Sequence, residues 1–298
     1  MTLNITNGEY FNNFIKKEQP GLFIPFNETM LLGPVDSIIM SRDFINKRAN
    51  YHKVSLSYYI DKLHQLENPD FINSFNSIIL WFGNDTFCQI NLLTILAYLD
   101  MIKYTGTIQL ITIDDETMRI IEDAREIFCT NLYQTYLKVL VRKEQELTNY
   151  PVLNQAIKTY LDIQNEKDEI SLYIKRNIKT NKNQLLIDCL NKSKSFGLSD
   201  LIILQLIEKY KNTKYYELTY HDVLIGELFV NNNICYYRPI TNNIESLSKD
   251  NLLLNFLKNE INDVLENLPF FESRISKMIS FNLKEISYPN DFYKLIEN

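Results

Sequence analysis

Several charged and amide residues in this chain sit where apolar runs end, which is where an α/β scaffold would place chemistry. The stretch SIILWFGNDTFCQINLLTILAYLD, residues 77–100, passes from apolar residues through Gly83, Asn84 and Asp85 and back into apolar ones. Similar groups follow three other apolar runs: Asn7, Gly8 and Glu9 after LNIT, Asn27 and Glu28 after GLFIPF, and Asp114 and Asp115 after TIQLITI. If these runs are parallel strands, the polar groups share the rim outside the carboxyl ends, where helix N-termini turn unpaired N–H groups inward and ligands bind. Glu28 and Asp85 are the candidate catalytic carboxylates, able to hold a divalent cation or to act as a general base. Arg42 and Arg48 could clamp a phosphate or carboxylate of the ligand, or pair with Glu28 and Asp85 instead. With Asn7, Gly8, Glu9 and Gln89 as further ligand-binding groups, the set suits phosphoryl or nucleotidyl chemistry on a small molecule.

A structural reading runs beside this one. TFCQ fits a capping box, with Thr86 as the cap and Gln89 reaching back, which would leave Asp85 outside the helix and able to point elsewhere. Cys88 falls in the first turn of the same helix, where the dipole favours a thiolate, although packing alone accounts for most such cysteines. Other chemistries are excluded by absence. Only 7 glycines occur in 298 residues, and there is no GxGxxG, no GxxxxGK[ST], no HExxH and no GxSxG.

The elements that would carry these groups can be read from periodicity. Short apolar runs alternating with helical patterns over residues 1–116 predict a mostly parallel, Rossmann-like α/β domain. LNIT, GLFIPF, SIILWF and TIQLITI are its strands; NGEYFNNFIKKE, the Ser41-capped SRDFINKRANYHKV, the Ser55-capped SLSYYIDKLHQL and the stretch after SIILWF are its helices. Residues 117–298 read as a mainly helical second domain, opening with one long helix over residues 115–147. Further helices follow, with Gly197 as a stop. A small α+β patch comes next, with YYELTY and NICYYRPI as strands around a helical HDVLIGELF, in the manner of a winged helix. The end, from NLLLNFLKNEINDVLENLPFF onward, reads as helical.

Composition bounds the partners. With 45% hydrophobic and 12% aromatic residues the chain can fill real cores. No window has the length of a membrane span and the N-terminus lacks the plan of a signal peptide, so the expected location is the cytoplasm, away from membranes. The four cysteines form no CxxC and the three histidines no metal spacing, against both a disulfide framework and a structural zinc. Residues 1–116 carry a net charge of −5 and residues 138–214 one of +5. Nucleic acid is therefore not the expected partner of the whole chain, although a regulatory or nucleic-acid role through Lys175, Arg176, Lys179, Lys182, Lys192 and Lys194 is the alternative.

Taken together, NGE, PFNETMLLGP, SRDFINKRA and LWFGNDTFCQINLLTILAYL resemble the bacterial family built on domain of unknown function 1835. The matching positions are Gly8, Glu9, Glu28, Gly33, Pro34, Arg48, Ala49, Trp81, Phe82, Asp85 and Gln89, within about the first 115 residues. FGLSDLIILQLIEKY and LPFF match the C-terminal halves of such proteins more loosely. The resemblance implies an α/β N-terminal domain and favours Glu28, Asp85 and Gln89 as more than helix caps.

Overall fold

In the computed structural model, which describes residues 1–114, 117–165, 168–220, 223–231, 234–239 and 293–296, the early apolar runs are strands and the periodic stretches between them helices. Strand β1 (Thr2–Thr6) leads to α1 (Glu9–Glu18), β2 (Leu22–Pro25), α2 (Arg42–His52), α3 (Leu56–Leu63), α4 (Pro69–Asn73), β3 (Ser77–Phe82), α5 (Thr86–Met101) and β4 (Thr107–Asp114). Next come β5 (Arg119–Glu126), α6 (Leu132–Tyr136), a π turn over Leu137–Val141 and α7 (Pro151–Gln164). The sheet order is β2-β1-β3-β4-β5, with the first four strands parallel and β5 antiparallel. This is the expected α/β fold, a mostly parallel sheet flanked by helices. The chain steps outward from β1 to β2 and then back past β1 to β3, so a topological switch point lies between the carboxyl ends of β1 and β3.

Both faces of the sheet are covered, which is why its strands read as nearly continuous apolar runs. On one face Phe11 and Ile15 of α1 meet Phe23, Trp81, Ile111 and Ile113. On the alternate face Leu3, Ile5, Ile78 and Leu80 are equally buried. Helix α5 is apolar nearly all round because α6 and α7 pack on it as well as β3. Helices α2 and α3 begin at the expected serines: the Phe44 N–H donates to Ser41 Oγ at 3.1 Å and the Tyr58 N–H to Ser55 Oγ at 3.2 Å. Ser41→Ala should lower stability by about 1 kcal/mol, read as a lower urea midpoint at unchanged slope.

The long helix expected over residues 115–147 is not formed. Residues Arg119–Glu126 pair with β4 as strand β5, all eight exposed. Apolar residues at helix-like spacing suggested an amphipathic face, but backbone pairing to the edge of β4 holds the segment without using one. Left-handed backbone at Met118 (φ 55°), Asn131 (φ 68°) and Lys143 (φ 61°) further divides the stretch.

The chain forms two compact units. One comprises residues 1–165 with 193–198, which include a 3-10 turn at Lys194–Phe196. The other comprises the described residues of 166–192 and 199–298: α8 (Glu169–Asn177), α9 (Lys182–Lys192), α10 (Asp200–Tyr210), β6 (Thr213–Tyr220), β7 (Val223–Asn231), β8 (Ile234–Pro239) and β9 (Tyr293–Ile296). Its strands form an antiparallel sheet ordered β6-β7-β8-β9. Of the expected helix HDVLIGELF, residues 223–229 belong to β7 instead. Glu227 and Phe229, two apart, are both buried, the alternation of a strand rather than a helix. The winged-helix reading thereby loses its recognition helix. The helix expected at NLLLNFLKNEINDVLENLPFF lies outside the described residues; beyond it, Tyr293–Ile296 is a strand paired with β8.

Candidate functional site

Between β2 and α2 the backbone runs through residues 26–41 without a helix or strand, an unusual length for a loop inside a compact unit. Its order comes from side chains that reach its carbonyls. Arg48, fully buried on α2, donates from Nη1 to Leu32 O (2.7 Å) and Pro34 O (3.2 Å) and from Nη2 to Thr29 O (3.2 Å). Gln164 donates to Leu31 O (2.9 Å), Tyr136 to Asp36 O (2.9 Å) and Tyr133 to Ser37 O (2.9 Å). Gly33 sits at φ 87°, and a Cβ there would lie 2.7 Å from Arg48 Nη1, so the turn over the guanidinium needs glycine.

Glu28 holds the other side of Arg48. The guanidinium donates from Nε to Glu28 Oε2 at 2.8 Å and also from Nη2, and both side chains are completely buried. Tyr59 OH donates to Glu28 Oε1 at 2.6 Å, and His52 Nε2 lies 3.4 Å from each carboxylate oxygen. Burial alone would raise the Glu28 pKa. The His52 hydrogen bond, the Arg48 charge and the Tyr59 hydroxyl together outweigh it and hold the carboxyl down to about 2. Burial first, and then the Glu28 charge, push the Tyr59 phenol well above its ordinary value. All five guanidinium N–H groups of Arg48 have acceptors within the protein. The buried pair therefore anchors the loop; Arg48 has no donor left for an anionic ligand, and Glu28 is closed to solvent.

A second chain of hydrogen bonds runs under the rim. Asn91, on α5, donates to Glu28 O (2.7 Å) and to Asn7 Oδ1 (2.8 Å) while its own oxygen accepts from the Met30 N–H (2.9 Å). Asn7 Nδ2 in turn donates to Cys88 Sγ at 2.8 Å, and the Cys88 N–H donates to Asp85 Oδ1 at 2.9 Å. Asp85, not Thr86, is thus the N-cap of α5, since a carboxylate one residue earlier reaches the third helical N–H and also meets the positive end of the dipole. Gln89 donates to Gly83 O at 2.7 Å and closes the β3–α5 turn. Gly197 packs so closely on Asp85 that a Cβ there would lie 2.1 Å from Oδ1.

The sequence candidates therefore separate into two groups. Asn7, Glu28, Arg48 and Asp85 are joined through Asn91 and Cys88 into a web beneath the rim, with Gln89 closing the adjacent turn, although no hydrogen bond links Asp85 directly to Glu28 or Arg48. Arg42 and Glu9 are exposed, Arg42 on the first turn of α2 and Glu9 opening α1 after Gly8, with Asn27 donating to Glu9 Oε2 at 3.1 Å. His52, Tyr59 and Asn91 were missed. His52 follows Arg48 by four residues, one helical turn on the same face, and Asn91 is an amide inside an apolar helix, a buried polar group that must find partners.

Comparison of the chain with protein-family models, curated proteins and solved structures finds no match.

Open space occurs beside this web. A cleft of about 440 Å³ is lined by Asn84 and Thr86 at the end of β3 and the start of α5, by Val152, Gln155, Ala156 and Thr159 of α7, and by Phe196. A larger groove of about 660 Å³ lies by residues 128–135 and 146–150, past the end of β5 where Ile127 pairs with Ile108. That is the amino end of the parallel strands, not the rim where such sheets bind ligands. Among the described residues no three His, Cys, Asp or Glu side chains are grouped to hold a metal ion, and no helix is long and apolar enough to cross a membrane. In the second unit, Arg176 makes a two-pronged pair with Glu227 (2.6 and 2.7 Å), and buried Lys175 lies over the Tyr210 ring at 4.7 Å. These two members of the basic run face their own unit's interior.

Proposed function

We propose that the first unit binds a small polar molecule in the cleft at the carboxyl rim of its sheet, between the start of α5 and α7. The observation that carries this reading is the coincidence of three features: the cleft opens at the strand-end rim, its volume suits a small ligand, and a pinned 16-residue loop, residues 26–41, leaves the same end of the sheet. The lining supplies amides and hydroxyls from Asn84, Thr86, Gln155 and Thr159 against apolar Val152, Ala156 and Phe196, with no lysine or arginine. The N-terminus of α5 is already met by the Asp85 carboxylate. An uncharged ligand such as a nucleoside or sugar suits this lining better than the phosphorylated ligand expected from sequence, whose charge would meet no cation. On this reading the Glu28–Arg48 pair and Asn91 are positioning residues. The likeness to the family of domain of unknown function 1835 belongs to the same proposal, since its shared positions are those that build the rim.

Thermal-shift measurements with nucleosides, free sugars and their phosphates should show stabilisation by the uncharged compounds. Val152→Trp, which fills the cleft from a half-exposed helix position, should abolish that shift while leaving the unliganded Tm nearly unchanged. Stabilisation by phosphates alone, or a shift that survives Val152→Trp, would place the ligand elsewhere.

A further inference from the structure

We propose that a cleft between α1 and β2 of the first unit binds a free α-amino acid with an apolar side chain. This site is separate from the cleft at α5 and does not depend on the reading of that one. Its volume is about 310 Å³, at the small end of ligand cavities, which run from about 300 to about 1,000 Å³. Buried Asn12 of α1 and buried Phe23, Ile24 and Pro25 of β2 form its floor. The mouth is open, because Glu9 and Lys16 of α1 and His64 and Gln65 after α3 line it and are exposed.

The α1 wall specifies the head group of the ligand. Asn12 accepts from Thr6 Oγ1 through Oδ1 at 3.2 Å, but its buried Nδ2 has no partner among the described residues. A buried amide N–H without an acceptor is costly, so an oxygen of a bound molecule belongs beside it. Glu9 precedes Asn12 by three residues and Lys16 follows it by four, which places all three on one face of the helix, separated along its axis by about 4.5 and about 6 Å. Glu9 accepts from Asn27 through Oε2 at 3.1 Å and keeps Oε1 for a ligand. No ion pair occupies Lys16 among the described residues. One acid and one base, with an unused amide N–H between them, match an ammonium and a carboxylate carried on one carbon: the ammonium meets Glu9, and the carboxylate bridges Asn12 Nδ2 and Lys16. A phosphate or a dicarboxylate would bring further negative charge up to Glu9, and a diamine would bring a second positive charge up to Lys16. Phe23, Pro25 and half-buried Phe71 give the side chain an apolar wall, which favours an aliphatic or aromatic residue over a charged one.

The test titrates the full chain with L-leucine, L-methionine and L-phenylalanine by calorimetry. At least one of them should bind at one site per chain. For that amino acid, the amine lacking its carboxylate and the acid lacking its ammonium (3-methylbutylamine and 4-methylpentanoate in the case of leucine) should each bind about tenfold more weakly, the loss expected when a hydrogen bond to a charged group is removed. Lys16→Met and Glu9→Gln, at exposed positions of α1, should each weaken the amino acid to a similar extent. Lys16→Met should not weaken the amine further, nor Glu9→Gln the acid, because each analogue has already lost that contact. Asn12→Leu should also lose binding while the fold persists, since Thr6 Oγ1 can still donate to Gly8 O. Binding that survives Val152→Trp, which fills the other cleft, belongs here. Binding of none of the three amino acids, equal binding of the parent and both analogues, charge variants that weaken both analogues alike, or binding abolished by Val152→Trp overturns the proposal.

Discussion

Arg48→Ala should cost the first unit about 3–5 kcal/mol of stability, the usual penalty for leaving a buried charge without its partner. The guanidinium and Glu28 are both wholly removed from solvent, so truncation strands a carboxylate in the interior. It also releases three loop carbonyls, those of Leu32, Pro34 and Thr29. Urea unfolding followed by fluorescence of Trp81, the single tryptophan, reports on this unit alone, because Trp81 lies buried in the first sheet. Replacing both partners by apolar residues of similar volume, Glu28→Leu with Arg48→Met, should recover much of the loss. It should not restore order to residues 26–41, whose carbonyls would still lack donors. Faster amide exchange at Met30 and Leu32 in the double variant would show that. A cost below about 1 kcal/mol for Arg48→Ala, the range of surface pairs, would mean the pair does not anchor the loop.

The same carboxylate makes the unit acid-sensitive. Its ordinary pKa of 4.5 is held to about 2 in the folded protein, so the unfolded chain takes up the Glu28 proton first as pH falls. The stabilisation is complete above about pH 4.5 and is lost progressively down to about pH 2. From those two values it amounts to about 3 kcal/mol. Half-buried Asp36, whose pKa is lowered chiefly by the hydrogen bond from Lys47, acts in the same direction more weakly. Trp81-detected urea midpoints measured between pH 6 and pH 2 should fall steeply for the wild type and more gently for Glu28→Gln, and the two curves should approach each other at the acid end. Parallel curves would show that Glu28 titrates normally in the fold.

Local rules explain why so much of the first unit was legible. Ser41 and Ser55 stand before periodic stretches and cap them, and the four apolar runs are parallel strands because both faces of their sheet are covered. The rule failed for residues 119–126, where helix-like spacing was overridden by pairing to β4, and for residues 223–229, where alternation of Glu227 and Phe229 matters more than the helix-compatible composition. In each case the deciding partner is a neighbouring strand far away in sequence or across a turn, which periodicity within one segment does not contain.

The polar joint at Gly83–Asn84–Asp85 shows the same division at the site. Polar groups gather at the strand ends because helices of an α/β unit begin there and need caps, and that much is local. What each group does depends on partners brought to it from distant segments. Glu28 meets Arg48 rather than Asp85, because the carboxylate desolvated by the loop can be stabilised only by a charge and hydroxyl buried with it. Asp85 is spent on the α5 N-terminus, and Asn91, unnoticed in its apolar run, joins the two halves of the web. The space left at the rim is set by where α7 and residues 193–198 come to lie over α5, and that depends on packing between segments, not on the order of residues in any one of them.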